Sequence, residues 1–160
     1  DEESYEATVY VVPADGEGEP TQFTVAEGVD SEPRFSPSGD RLAFVSTRGA
    51  DDDRPQLWVL PTEGGEARQV TDVPGGVSTL DWSPDGSRIA FVQRTTEDER
   101  EESLDLDIGD EEEFEREESD PRVVDRLVYR AGAQYFDGTR SHVYVADLDG
   151  DEVARVTDGD

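Results

Sequence analysis

Residues 31–45 read SEPRFSPSGDRLAFV, and residues 78–92 read STLDWSPDGSRIAFV. At this offset of 47, Ser36/Ser83, Pro37/Pro84, Gly39/Gly86, Arg41/Arg88, Ala43/Ala90, Phe44/Phe91 and Val45/Val92 are identical. Self-similarity at a fixed spacing of this size marks a repeat architecture. A second pair of segments aligns at offset 86: residues 57–72, LWVLPTEGGEARQVTD, against residues 143–158, VYVADLDGDEVARVTD. The two offsets differ by 39 residues, so the later unit carries about that much extra chain between Arg94 and His142. Residues 9–24, VYVVPADGEGEPTQFT, match LWVLPTEGGEARQVT with one residue inserted, and the chain is expected to start halfway through a unit.

Each unit holds four short β-rich runs, expected in the middle copy at residues 32–36, 41–46, 56–60 and 68–71. Turn chemistry separates them. SPSG and SPDG place Pro at the first central position of a tight turn and Gly where a positive φ is needed, and EGG and LDG serve the next hairpin. Four antiparallel strands repeating at this period describe a β-propeller blade. The expected fold is therefore all-β: a partial propeller of about 2.6 four-stranded blades of period 47, one carrying a long acidic insertion. The expected organisation is a half blade over 1–28, a full blade over 29–75 and a full blade over 76–160, with the insertion at about 95–140. Propellers close with 4 to 8 blades, so the chain reads as a piece of a larger one.

Composition narrows the partners. The 160 residues include 42 acidic and 14 basic ones, a formal charge of −28, and every basic residue is Arg. With no Cys, the sequence holds no disulfide, thiolate metal site or Cys nucleophile. Nucleic acid is not an expected partner, because phosphate binding draws on clustered Lys and Arg. No apolar run approaches the roughly 20 residues of a membrane span. The opening DEESYEATVYVV has no basic leader region and enters a strand-like run directly, so no targeting peptide is expected. Low hydrophobicity with high net charge ordinarily signals disorder, but here the apolar residues gather in strand-length runs. The reading is an acidic skin on a β fold, suited to a cytoplasm of high salt where the Debye length falls to about 3 Å at 1 M.

An aromatic residue followed by SP(S/D)G, a polar position, Arg, an aliphatic residue, Ala and FV resembles the TolB-like propeller repeats. These occur in periplasmic Tol proteins and in serine peptidases of the prolyl-oligopeptidase family. Residues 120–148, DPRVVDRLVYRAGAQYFDGTRSHVYVADL, resemble the run before the third strand of a blade in the acylaminoacyl peptidase and dipeptidyl aminopeptidase branch of that family. The resemblance covers nearly the whole chain apart from roughly residues 95–119. It implies an N-terminal propeller that restricts peptide access to a C-terminal α/β-hydrolase domain with a Ser-Asp-His triad. The 160 residues contain no GxSxG elbow and a single His, His142, so the family's catalytic residues map onto no position.

Candidate sites are few. Residues 97–120 carry 15 carboxylates and two Arg, a block expected to be a solvated, extended insertion. Asp105, Asp107 and Asp110 resemble the start of a calcium loop, but Gly109 stands where a ligand is needed and Asp110 where the Gly belongs. Nothing in the spacing of Glu111, Glu112 and Glu113 singles them out for holding a substrate amino group. His142 is expected to be structural, since no second His or Cys completes a metal site. Asp147, Asp149 and Asp151 align with the PTEGG hairpin and are expected in a turn. Phe35, Trp82, Trp58 and Tyr144 recur at equivalent positions and are expected to pack between blades. Arg41 and Arg88 are expected to anchor a turn or to pair with a neighbouring Asp. No catalytic, metal or cofactor-binding residue and no cofactor is expected, and the sequence assigns no substrate-binding residue.

The leading reading is a non-catalytic propeller of an acylaminoacyl-peptidase-like serine hydrolase, with the hydrolase domain and a peptide as partners. The alternative is a TolB-like protein-binding propeller without enzymatic role, and a third reading is a repeat array with no ligand. Open blade edges and faces predict self-association.

Overall fold

The computed structural model describes residues 5–25, 27–49, 54–106, 138–150 and 152–159. Ten strands and one short helix follow one another: β1 (Tyr10–Val11), β2 (Thr21–Gln22), β3 (Asp30–Phe35), β4 (Arg41–Ser46), β5 (Gln56–Pro61), β6 (Arg68–Gln69), β7 (Ser78–Trp82), β8 (Arg88–Thr95), α1 (Glu97–Glu101), β9 (Arg140–Asp147) and β10 (Glu152–Arg155). They form a two-stranded ribbon β1-β2 and two four-stranded antiparallel meanders, β3-β4-β5-β6 and β7-β8-β9-β10. The all-β, blade-like fold read from the repeat is thus present, and the chain between the second and third strands of the later sheet is interrupted where the offsets place the extra residues.

The register repeats as faithfully as the sequence. Val45 pairs with Leu57 and Ala43 with Val59; their equivalents Val92 and Ala90 pair with Val143 and Val145. One hydrogen bond recurs in the ribbon and both sheets: a Thr hydroxyl just past the last strand accepts an N–H in or just before the strand beside it. It appears as Val9 N–H to Thr24 Oγ1 at 2.9 Å, Leu57 N–H to Thr71 Oγ1 at 3.0 Å and Val143 N–H to Thr157 Oγ1 at 2.9 Å. The turns repeat too. Gly39 and Gly86 donate to the carbonyls of Ser36 and Ser83 at 2.9 Å with φ of 77° and 71°, values that favour glycine. The carboxylates of these turns accept serine hydroxyls, Asp40 from Ser38 and Ser36, and Asp85 from Ser83 and Ser87. Those hydroxyls hold both carboxyls below the ordinary range.

One repeated feature was not legible. The first strand of each sheet is bulged, between Ser31 and Arg34 and between Ser78 and Leu80, and the residues at the bulge, Glu32 and Thr79, both have φ of 51°. They are equivalent at offset 47. A left-handed conformation is uncommon for Glu and costly for β-branched Thr, so a bulge kept at both positions is part of the blade design.

The sheets stack with a fixed direction. Ala43, Val45, Leu57 and Val59 on one face of the first sheet share a core with Leu80, Ile89, Phe91, Tyr144 and Ala146 on the second, joined by Val73 and Val77 from the connection between them. Small aliphatic side chains of one blade thus receive the larger and aromatic ones of the next. Phe91 and Tyr144 stack within this core with ring centroids 5.6 Å apart. At the SPxG end, Arg41 Nη2 donates to the Gly86 carbonyl at 2.8 Å and its guanidinium lies 5.2 Å from the Trp82 ring centre. Trp82 Nε1 donates to the Arg34 carbonyl at 3.0 Å. Arg68 Nη2 donates to the Leu148 carbonyl at 3.1 Å. Among the described residues no helix is long and apolar enough to cross a membrane.

Candidate functional site

The richest polar chemistry gathers where the insertion leaves the second sheet. Thr96 caps α1 with its hydroxyl on the Glu99 N–H while Glu99 returns its carboxylate to the Thr96 N–H, a reciprocal capping box. This single turn leads the chain back over the end of β8, where Arg100 Nη1 donates to the Thr95 carbonyl at 2.9 Å. Asp105 then enters the protein and is wholly buried. Its Oδ2 accepts the Tyr144 hydroxyl at 2.6 Å and Arg155 Nη1 at 2.6 Å, while Oδ1 is buried with no partner among the described residues. Leu106 packs on the shared core beside it.

Gln93 ties this anchor to the inter-sheet connection. Its Nε2 donates to the Asp105 carbonyl at 2.8 Å and its Oε1 accepts the Gly75 N–H at 2.8 Å. Position 75 needs glycine, because a Cβ there would lie 2.3 Å from the Arg94 carbonyl oxygen. The result is a continuous polar chain from Gly75 through Gln93 and Asp105 to Tyr144 and Arg155. Burial, aided by the hydrogen bond to Asp105, pushes the Tyr144 hydroxyl from 10.0 up to about 12. Arg155 is held charged above its ordinary range by its bond to Asp105, despite the opposing effect of burial.

A folded-state value above the unfolded one means that the protonated phenol favours folding. Its contribution is complete below pH 10 and is lost as pH rises through about 12. Urea unfolding of wild type and Tyr144→Phe from neutral pH upward should therefore give a steeper loss of stability for wild type between pH 10 and 12. Parallel curves would show that the phenol does not titrate with folding.

Asp105 is not a loop ligand but the buried end of an ion pair, and residues 97–106 form a docked turn instead of the solvated extension expected of them. Asp107, Asp110, Glu111, Glu112, Glu113 and Asp151 lie outside the described residues. His142 is buried in β9, with Nδ1 3.0 Å from the Thr157 carbonyl oxygen. It occupies the place that Gln56 fills in the first sheet, where that amide bonds Thr71 and Val73 beside the fourth strand. Asp147 Oδ1 accepts the N–H groups of Asp149 and Gly150 at 3.0 Å, a hairpin role. Trp82 and Tyr144 pack between the sheets as expected. Trp58 instead carries Arg48, whose guanidinium also covers Phe44 and pairs with buried Asp30. Phe35, the counterpart of Trp82, is 50% exposed, a departure from the packing role expected of it. Arg41 anchors the turn of the next sheet and lies 3.6 Å from Asp40.

The sequence offered little sign of the Asp105 anchor. The available signals were the T-x-x-E capping box at Thr96 and the apolar Leu104 and Leu106 flanking an aspartate inside an otherwise polar run. Among the described residues no group of three or more His, Cys, Asp or Glu is placed to hold a metal ion. The arrangement can tether chain and position it.

The peptidase YuxL of Bacillus subtilis, described as uncharacterized, is 38% identical over 72 residues, covering 45% of this chain and 10% of its own length. The Tol-Pal system protein TolB of Bordetella pertussis is 35% identical over 59 residues, covering 37% of this chain and 13% of its own. The chain thus matches only about a tenth of the length of these relatives. Among solved structures, a TolB from Agrobacterium tumefaciens superposes with a TM-score of 0.57 at 22% identity over 92% of this chain and 40% of its own. The acylaminoacyl peptidase of Pyrococcus horikoshii superposes with a TM-score of 0.55 at 23% identity over 88% of this chain and 19% of its own. At these identities both show a shared fold. The family model of the TolB beta propeller domain, PD40, matches residues 2–122, and the chain belongs to that family.

Proposed function

We propose that this chain is the non-catalytic propeller part of an acylaminoacyl-peptidase-like serine hydrolase, limiting peptide access to an α/β-hydrolase domain and shaping its substrate pocket. The observation that carries this reading is the 38% identity over 72 residues to a peptidase, a longer and closer match than that to the Bordetella TolB. The fold shared with an acylaminoacyl peptidase is compatible with it. In this reading the partner is a hydrolase domain in the same polypeptide, the ligand is a peptide, and the setting is a cytoplasm of high salt in which the charge of −28 is screened. The match to TolB supports the second reading, a propeller that binds a partner protein and has no catalytic domain.

Cloning the complete reading frame that encodes these residues and assaying its product separates the two. On the leading reading the product carries GxSxG followed by Asp and His, hydrolyses acyl-peptide chromogenic substrates and is blocked by a serine-reactive inhibitor, whereas the 160-residue chain alone gives no turnover. A complete frame without the triad and without turnover contradicts the leading reading.

A further inference from the structure

The two four-stranded sheets fill the same place with different charges. In the first, Phe44 and Trp58 are covered from within the blade: the Arg48 guanidinium lies 4.9 Å from the Phe44 ring centre and 5.3 Å from that of Trp58, and it pairs with buried Asp30. In the second, the offsets of 47 and 86 put Phe91 and Tyr144 in the places of Phe44 and Trp58, but Val77 in the place of Asp30 and Thr95 in that of Arg48. The strands of this blade supply the cation from a new position, Arg155, where the first sheet has Gln69. The buried carboxylate that meets it comes from outside the strands, in Asp105.

Three donors converge on that one residue. The Tyr144 hydroxyl and Arg155 Nη1 both donate to Asp105 Oδ2 at 2.6 Å, and Gln93 Nε2 donates to the Asp105 main-chain carbonyl at 2.8 Å. They stand on β8, β9 and β10, whose register places them, and the Gly75 N–H fixes the Gln93 amide from its other side. Two donors thus read a carboxylate and the third reads the carbonyl of the same residue, which is the signature of an aspartyl unit in a peptide. Two of these groups also have a second partner within the sheet: Arg155 Nε lies 3.3 Å from Asp158 Oδ1, and the Tyr144 hydroxyl 3.4 Å from Thr95 Oγ1. The turn that delivers Asp105 holds its own shape. Its capping box closes the start, and the Leu104 and Ser103 N–H groups close the end on the Glu99 and Arg100 carbonyls at 2.8 and 3.4 Å. It grips the sheet through Arg100, Asp105 and Leu106.

We propose that Gln93, Tyr144 and Arg155 form a binding seat for an aspartyl residue of a peptide, that the chain's own Asp105 is its occupant, and that an acidic peptide supplied in trans takes the same seat when Asp105 leaves it. Leu106 packs on the shared core beside Asp105, so the ligand is a peptide in which an apolar residue follows the aspartate. The tethered occupant competes at an effective concentration on the order of 1 mM, so an external peptide binds the wild type weakly and binds better once Asp105 is removed. This inference does not depend on the hydrolase reading.

The test titrates the full chain with acetyl-Ser-Leu-Asp-Leu-amide, which repeats residues 103–106, and with the same peptide carrying Asn for Asp. Binding is followed by the side-chain N–H signals of Arg155 and Gln93 in nuclear magnetic resonance spectra. In Asp105→Ala the aspartyl peptide is expected to shift both signals and to bind at least about tenfold more tightly than the asparaginyl one, which lacks the charge that Arg155 pairs. Wild type should need at least about tenfold more of it, because its own aspartate holds the seat. Asp105→Asn, which keeps the shape of the side chain, replaces Asp105→Ala if that variant loses its circular dichroism spectrum. Equal binding of the two peptides overturns the proposal, as does binding of neither, or a wild type that binds as well as the variant. Loss of the fold in both variants overturns it too, since a seat that cannot be emptied is simply part of the core.

Discussion

Replacing Asp105 by alanine is expected to destabilise the protein by about 3–5 kcal/mol, the cost of breaking a buried ion pair from one side. The carboxylate is wholly buried and accepts both the Tyr144 hydroxyl and the Arg155 guanidinium. Its removal leaves the buried Tyr144 phenol only a long contact to Thr95 Oγ1 and leaves the half-buried Arg155 only the exposed Asp158 at 3.3 Å. Desolvating such groups unpaired is what makes the loss large, and the pair itself adds much less. Asp105→Ala combined with Arg155→Leu should therefore recover a substantial part of the loss. Urea unfolding of the single and double variants measures both. A single-variant loss below about 1 kcal/mol would show that the insertion is not held at this point.

The second large effect is an asymmetry between equivalent positions. Leu57→Ala should cost about 2–5 kcal/mol, since its side chain is wholly enclosed between the sheets and leaves a cavity. Val45→Ala should cost roughly 1.5 kcal/mol or more, at about 0.8 kcal/mol per buried methylene plus a cavity contribution. Val92→Ala removes the same atoms at the same register from the half-buried face and should cost about half as much or less in dilute, low-salt solution. Equal losses at Val45 and Val92 would mean that the two faces are equally covered in the monomer.

What the sequence reveals, and what it hides, follows from where each feature gets its energy. The blades are legible because their determinants are local. Pro37 and Gly39, repeated as Pro84 and Gly86, fix the turns, and the alternation in RLAFV and RIAFV fixes which side chains share a face. The bulges at Glu32 and Thr79 are not legible, because neither residue type favours a positive φ and the sheet imposes it. Asp105 is hidden for a related reason. A run of like charges argues for solvation on average, while the burial of one of its members depends on Tyr144 and Arg155, which are 39 and 50 residues away. The exposure of Phe35 marks where analogy between repeats stops, since Trp82 Nε1 bonds the Arg34 carbonyl and Phe35 has no such donor. The place of His142 follows from the comparison of the two sheets, where it is buried at the position of Gln56 and bonds beside the fourth strand as that amide does.

The directional stacking of the two sheets underlies the asymmetry between equivalent positions, and nuclear Overhauser measurements on the methyl-labelled chain at low concentration test it most directly. The structure predicts cross-peaks from the methyl groups of Ala43, Val45, Leu57 and Val59 to the ring protons of Phe91 and Tyr144, with which they share a core. It predicts none from Ala90 and Val92 to the Tyr144 ring or from Val143 and Val145 to the Phe91 ring, pairs that lie on opposite faces and are not sequence neighbours. Cross-peaks between those pairs, or the absence of cross-peaks from the first set, would contradict the stacking of the sheets as successive blades.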